Sequence, residues 1–173
     1  LHPREALAAA ASLASALGAL HEKGVVHRDV KSSNVMRTAS GRVVLLDFGL
    51  VAEHERRRGY ESGSIVGTVA YMAPEQCNAD SSLSPAADWY SVGVVIFQAL
   101  TGKLPFDART PMEYIQLHVT KPPISLDERI PGKKFPAGLA DVLAKALEKK
   151  PENRYKSAAE FAEALKPFAA GGK

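Results

Sequence analysis

The fifteen residues from Ala86 to Leu100 are apolar on nearly every side once wound into a helix, with Trp89, Val92, Val94, Val95, Ile96 and Phe97 spread round its circumference. A helix of that kind has no face to give to water and belongs at the centre of a core. Other elements must therefore wrap it. Ser84-Pro85 supplies an N-cap and a proline for the first turn, and Thr101-Gly102 ends the run. A second helix of about 19 residues is read from Leu7, Ala10, Ala14, Leu17 and Leu20, which recur at intervals of three and four. Gly24 stands where a helix C-terminus takes a left-handed residue. Between the two helices lie a polar loop to Asn34, a short run Val35-Met36-Arg37, a turn at Ala39-Ser40-Gly41 and the run Val43 to Leu46, which read together as a hairpin. Residues 51–66 lack either periodicity and read as a long loop. Downstream, helices are expected over Pro111–Val119, Gly138–Lys149 and Ser157–Phe168, with a Pro-rich loop from Lys121 to Pro136. The expected class is α+β and predominantly α-helical, with one small hairpin.

Composition narrows the function classes. With 173 residues, 46% of them hydrophobic and 24% charged, the chain has the make-up of one globular domain, and no repeat or low-complexity linker divides it. The net charge of +3 arises from 22 basic and 19 acidic residues that are interspersed. A nucleic-acid surface needs a basic stripe interleaved with aromatics, and the chain has none, so no nucleic-acid partner is expected. A lone cysteine, Cys77, forms no internal disulfide and fits a reducing, cytoplasmic compartment. The uncharged stretch Ala6 to Leu20 is too short and too alanine-rich to span a bilayer, so no membrane segment is expected in this chain; a longer protein could still be anchored through other segments.

Three polar residues converge by their spacing. Asp29 and Asn34 bound one loop, and Asp47 follows the strand that returns beside it. A carboxylate and an amide oxygen at the base of a hairpin suit a hard cation such as Mg²⁺, which shares its remaining positions with water and phosphate oxygens. Lys31 can direct a positive charge at the same place. On the residues alone, a phosphate-handling site stands beside a plainer reading, in which Asp, Ser and Asn satisfy turn backbone groups.

The order of several motifs carries more. His27-Arg28-Asp29-Val30-Lys31-Ser32-Ser33-Asn34, Asp47-Phe48-Gly49 and Ala73-Pro74-Glu75 resemble the catalytic loop, the metal-binding motif and the end of the activation segment of eukaryotic-type protein kinases. The likeness extends to Asp88 through Gly93, to Gly102 through Phe106 and to Arg154, so it covers essentially all of residues 1–173. It implies the C-terminal, large lobe of a kinase catalytic domain, with a catalytic loop at 27–34, a Mg-binding motif at 47–49 and an activation segment at 47–75. The 27 alanines and Ala73-Pro74-Glu75-Gln76 resemble the kinases of GC-rich bacteria.

The resemblance implies a role for each matched residue. Asp29 accepts the proton of the substrate hydroxyl, and Lys31 neutralises charge on the transferred γ-phosphoryl group of ATP. Asn34 and Asp47 hold Mg²⁺, with Mn²⁺ as a substitute, against the ATP phosphates. Lys31 with Gly67-Thr68 is similar to the serine/threonine branch, in which the threonine hydroxyl bonds the catalytic Asp and Lys, so protein Ser and Thr are the expected acceptors. His27, Phe48, Gly49, Glu75, Asp88 and Arg154 are expected to be structural: His27 and Phe48 packed behind the site, Asp88 accepting backbone N–H groups of the catalytic loop, and Glu75 paired with Arg154. Arg28 resembles the arginine on which an activation-segment phosphate docks, with Ser62 and Ser64 as candidate phosphosites, ahead of Tyr60. The run Arg56-Arg57-Arg58 is read as a solvated surface, His2, His21, His54 and His118 as surface or packing residues, and Trp89 as core.

Two departures from the family pattern follow. Ser32 replaces a proline common in this loop, which should cost some rigidity. The sequence also has no Gly-rich phosphate loop, no strand lysine and no partner glutamate, so the small N-terminal lobe is expected to be absent and this chain alone inactive. A pseudokinase scaffold, or less readily a small-molecule phosphotransferase of the same fold, stands as the alternative. The intact set Asp29, Asn34 and Asp47 speaks against the scaffold, and Ala73-Pro74-Glu75 against the second.

Overall fold

The computed structural model describes residues 2–46, 67–79 and 83–169. Helix α1 spans Pro3–Glu22, opened by His2, whose Nδ1 accepts the Arg4 N–H at 3.3 Å, and closed by Gly24 at φ +75°. Its stripe Leu7, Ala10, Leu13, Ala14 and Leu17 is buried, as helical spacing requires of a face turned to a core. Strands β1 (Val35–Arg37) and β2 (Val43–Leu45) pair antiparallel, with Met36 opposite Val44. A short helix α2 covers Pro74–Cys77, and the apolar run forms α3 over Ala86–Thr101, ended by Gly102 in the left-handed region at φ +73°.

The remaining elements are α4 (Pro111–Thr120), α5 (Leu126–Arg129), α6 (Leu139–Ala146) and α7 (Ala158–Ala169). Helix α3 sits at the centre: Trp89, Val92, Ile96, Phe97 and Leu100 face a cluster built with α1, α6 and α7, while Tyr90 and Val94 face a second cluster with Val69, Phe106, Tyr114 and Leu147. Trp89 is fully buried, with the Phe161 ring set edge-on at 5.7 Å. The close approach of α1 to α7 depends on Gly18, where an added Cβ would lie 2.4 Å from Cβ of Ala158.

Three local expectations need correction. Pro85, not Ser84, takes the N-cap position of α3; its φ and ψ are already helical, and Ser84 contributes its carbonyl, which accepts the Ala87 N–H at 3.1 Å. The stretch from Lys121 to Pro136 is not all loop, because Ser125 and Glu128 form a reciprocal capping box that opens α5. Helix α6 stops at Ala146 rather than Lys149. Pro151 has no N–H to continue the ladder, and the carbonyls of Glu148 and Lys149 turn instead to the Arg154 guanidinium. Among the described residues, no helix is long and apolar enough to cross a membrane.

Candidate active site

The polar loop after α1 is fixed by one carboxylate. Asp88, in the first turn of α3 and 1% exposed, accepts the His27 N–H at 2.9 Å on Oδ2 and the Arg28 N–H at 3.0 Å on Oδ1. His21, at the end of α1, reaches the same Oδ2 through Nε2 at 2.7 Å. Arg28 stands at φ +71°, a conformation that an L-residue holds only when its surroundings impose it. Both of its main-chain polar groups are engaged, the N–H by Asp88 and the carbonyl by Gln76 Nε2 at 2.9 Å. The His27 ring lies buried behind this bend, where Nδ1 accepts the Asp29 N–H at 3.1 Å and Nε2 faces the Leu46 carbonyl at 3.4 Å.

That bend delivers Asp29, Lys31 and Asn34 to one place. Asn34 closes the 3₁₀ turn Ser32–Asn34, and its Nδ2 donates to the Asp29 carbonyl at 2.9 Å and to Asp29 Oδ2 at 3.2 Å. Lys31 Nζ lies 3.7 Å from Asp29 Oδ1 and donates to Thr68 Oγ1 at 2.9 Å. Burial pushes the Asp29 carboxyl above its ordinary value, with Lys31, Asn34 and His27 pulling it partly back. The result is a partly desolvated carboxylate facing an ammonium group, a pair able to take up a proton on one side and neutralise developing negative charge on the other.

The same loop and helix carry further contacts. Arg154, fully buried, makes a two-pronged ion pair with Glu75 at 2.7 and 2.9 Å and donates to the carbonyls of Ala86, Glu148 and Lys149. Ser32 Oγ donates to Gln98 Oε1 on α3 at 2.5 Å, and Tyr71 Oη donates to the same oxygen at 2.5 Å. Sequence reasoning missed His21, Tyr71, Gln76 and Gln98 as partners of this loop. Only the Gln76 contact has a nearby signal, since Gln76 adjoins Ala73-Pro74-Glu75; the other bonds span chain separations that periodicity does not report. His118 is a packing residue, buried between Tyr90, Phe106 and Tyr114, with Tyr90 Oη 2.7 Å from Nδ1.

Asp47, Phe48, Gly49, Tyr60, Ser62 and Ser64 lie outside the described residues, as do His54 and Arg56 to Arg58. Among the described residues, no group of three or more His, Cys, Asp or Glu side chains gathers as a metal cluster. Asn34 nevertheless suits a hard cation. Both of its bonds are made by Nδ2, so within the described residues its amide oxygen is uncommitted beside the Asp29 carboxylate.

The chain, mostly helical with a clamped Asp–Lys–Asn loop, belongs to the protein kinase domain family, whose model matches residues 1–166. It is 37% identical over 160 residues to the serine/threonine-protein kinase PknB of Mycobacterium leprae, covering 92% of this chain and 25% of that protein. Similarity of 36% over 169 residues relates it to the serine/threonine-protein kinase pkn2 of Myxococcus xanthus, with 94% of this chain and 20% of that protein covered. PknA of Mycobacterium tuberculosis is 35% identical over 156 residues, across 90% of this chain and 35% of its own length. The chain is thus of the bacterial serine/threonine kinase type, and it spans about a quarter of the length of the PknB proteins it matches.

Proposed function

We propose that this chain carries the catalytic loop with which an intact kinase transfers the γ-phosphoryl group of ATP to Ser and Thr hydroxyls of protein substrates. One observation carries this reading: Asp29, Lys31, Asn34 and Thr68 form a connected set, on a loop whose backbone is held by the central helix. Asp29 orients the acceptor hydroxyl and takes its proton; its raised affinity for protons makes it the stronger base once ionised. Lys31, held by Thr68, places positive charge where the γ-phosphoryl oxygens gather charge. Asn34, with Asp47, offers oxygen ligands for Mg²⁺, which when bound neutralises phosphate charge. Phosphoryl transfer asks a protein chiefly for position and electrostatics, and this set supplies both.

Met36 and Val44, paired across β1 and β2 and both exposed, support the reading by offering an apolar ledge beside the polar loop for a planar base. Arg28, with its main chain fixed on both sides, is read as the dock for a phosphate on Ser62 or Ser64. Glu75, Asp88, Arg154, His27, Phe48 and Gly49 act by position.

The test is phosphorylation of a protein substrate by the intact kinase with γ-labelled ATP. Asp29→Asn should lower turnover by roughly 10²- to 10⁴-fold with the fold intact, and Asp47→Asn should abolish it; retained turnover in either variant overturns the corresponding role. Because the sequence holds no Gly-rich phosphate loop, the 173-residue chain assayed alone should transfer negligible phosphate.

A further inference from the structure

Ser32 sits one residue beyond Lys31 and opens the turn that ends at Asn34. Its hydroxyl is the connecting member of a closed ring of contacts. Ser32 Oγ donates to Gln98 Oε1 at 2.5 Å; Tyr71 Oη donates to that same oxygen at 2.5 Å and stands 3.3 Å from Ser32 Oγ. An amide oxygen has two lone pairs, and these two donors fill them. Tyr71 is tied back to Thr68 by its own N–H at 3.2 Å, and Thr68 accepts from Lys31 Nζ at 2.9 Å. The ring therefore runs Lys31, Ser32, Gln98, Tyr71, Thr68 and back to Lys31. Ser91 fastens it again to α3 by donating to the Tyr71 carbonyl at 2.7 Å.

We propose that Ser32 is a positioning residue for phosphoryl transfer: its hydroxyl, through Gln98 and Tyr71, sets the distance between the Lys31 side of the loop and the Thr68 segment. This rests on the catalytic reading of Lys31 given above. Without the hydroxyl the ring opens beside Lys31, leaving the Lys31 to Thr68 bond to hold that side, and a lysine stem with four rotatable bonds holds position poorly. Both hydroxyls converge on one amide oxygen, so losing Ser32 Oγ leaves Tyr71 Oη as its one donor among the described residues and cuts the link from the loop to α3. The serine-for-proline exchange then reads differently from a simple loss of stiffness, because a side-chain tether stands where the family pattern has a proline ring.

The experiment uses the intact kinase and steady-state kinetics. Ser32→Ala should lower kcat roughly five- to tenfold, the worth of about one hydrogen bond expressed in the transition state, with KM for ATP and for the protein substrate within about twofold of the parent. Ser32→Thr, which restores the hydroxyl, should recover most of the rate. Gln98→Met should show a similar loss, and the double variant should be no slower than either single one, since both cut the same ring. Thermal midpoints should stay within a degree or two, because Ser32 is exposed. Parent-like kcat in Ser32→Ala, a change confined to KM, additive losses in the double variant, or a loss of rate matched by a loss of thermal stability would each overturn the assignment. Asp29→Asn run in parallel separates the two levels. An active Asp29→Asn refutes the catalytic reading itself, whereas an inactive one beside a parent-like Ser32→Ala refutes only the role of Ser32.

Discussion

Arg154 and Glu75, 79 residues apart in the chain, meet in a two-pronged ion pair whose arginine is wholly buried. The guanidinium also donates to three carbonyls and lies 5.0 Å from the centre of the Tyr90 ring, so every N–H finds a partner inside the protein. Removing one half of such a pair leaves a desolvated charge, which costs about 3–5 kcal/mol. Arg154→Met should therefore lower stability by about that amount, and Glu75→Gln by a similar or smaller one; denaturant midpoints at constant slope provide the measurement. A double variant replacing both charges with apolar groups should recover part of the loss.

Asp29 titrates above the 3.8 of an ordinary aspartate, because burial outweighs the neighbouring Lys31. The base form is the one that accepts the hydroxyl proton, so turnover should fall as pH drops through this raised value. Lys31→Met removes the strongest opposing influence and should raise the titration further. Carboxyl ¹³C shifts of Asp29 across pH, read in parent and variant, check both statements. A parent midpoint at or below 3.8 contradicts the first.

His118 is held neutral. Burial first, and then the nearby Lys149, lower its pKa from 6.5 to about 4, while Tyr90 Oη lies against Nδ1 and the Ala70 carbonyl against Nε2. The unfolded chain takes up a proton near pH 6.5 and the folded one does not, so stability is full above pH 6.5 and is lost as pH falls toward 4. At about 1.4 kcal/mol per pH unit the loss is of order 3 kcal/mol. Urea midpoints at pH 7, 5.5 and 4.5 should show it, and His118→Gln should flatten the slope.

Gly18 lets α1 and α7 touch. A methyl group there would collide with Cβ of Ala158 at 2.4 Å, so Gly18→Ala should cost about 1–3 kcal/mol despite its better helix propensity, with Gly18→Val worse. Chemical denaturation is the check, and Ala158→Gly in the Gly18→Ala background should restore most of the loss.

The long helices were legible for two reasons: α1 and α7 carry a periodic apolar face, and α3 is an unbroken apolar run between Ser84-Pro85 and Thr101-Gly102. The hairpin was legible from its turn residues. The opening of α3, the capping box inside a proline-rich stretch and the early end of α6 were not, since each is decided by one or two backbone bonds rather than by a period. Of the loop, the identities of Asp29, Lys31 and Asn34 stood in the sequence. Asp88 and Thr68 were expected from the kinase resemblance, but the contacts of Tyr71, Gln76 and Gln98, which come from segments far along the chain, and of His21, which reaches the loop only through Asp88, were not, because nothing in local spacing encodes such a meeting.

Asp88 joins the loop backbone to the first turn of the innermost helix. The register of the reactive groups is thereby inherited from the most heavily constrained part of the molecule. Drift in the loop at 27–34 must be matched by change in α3, and change in α3 disturbs both apolar clusters at once.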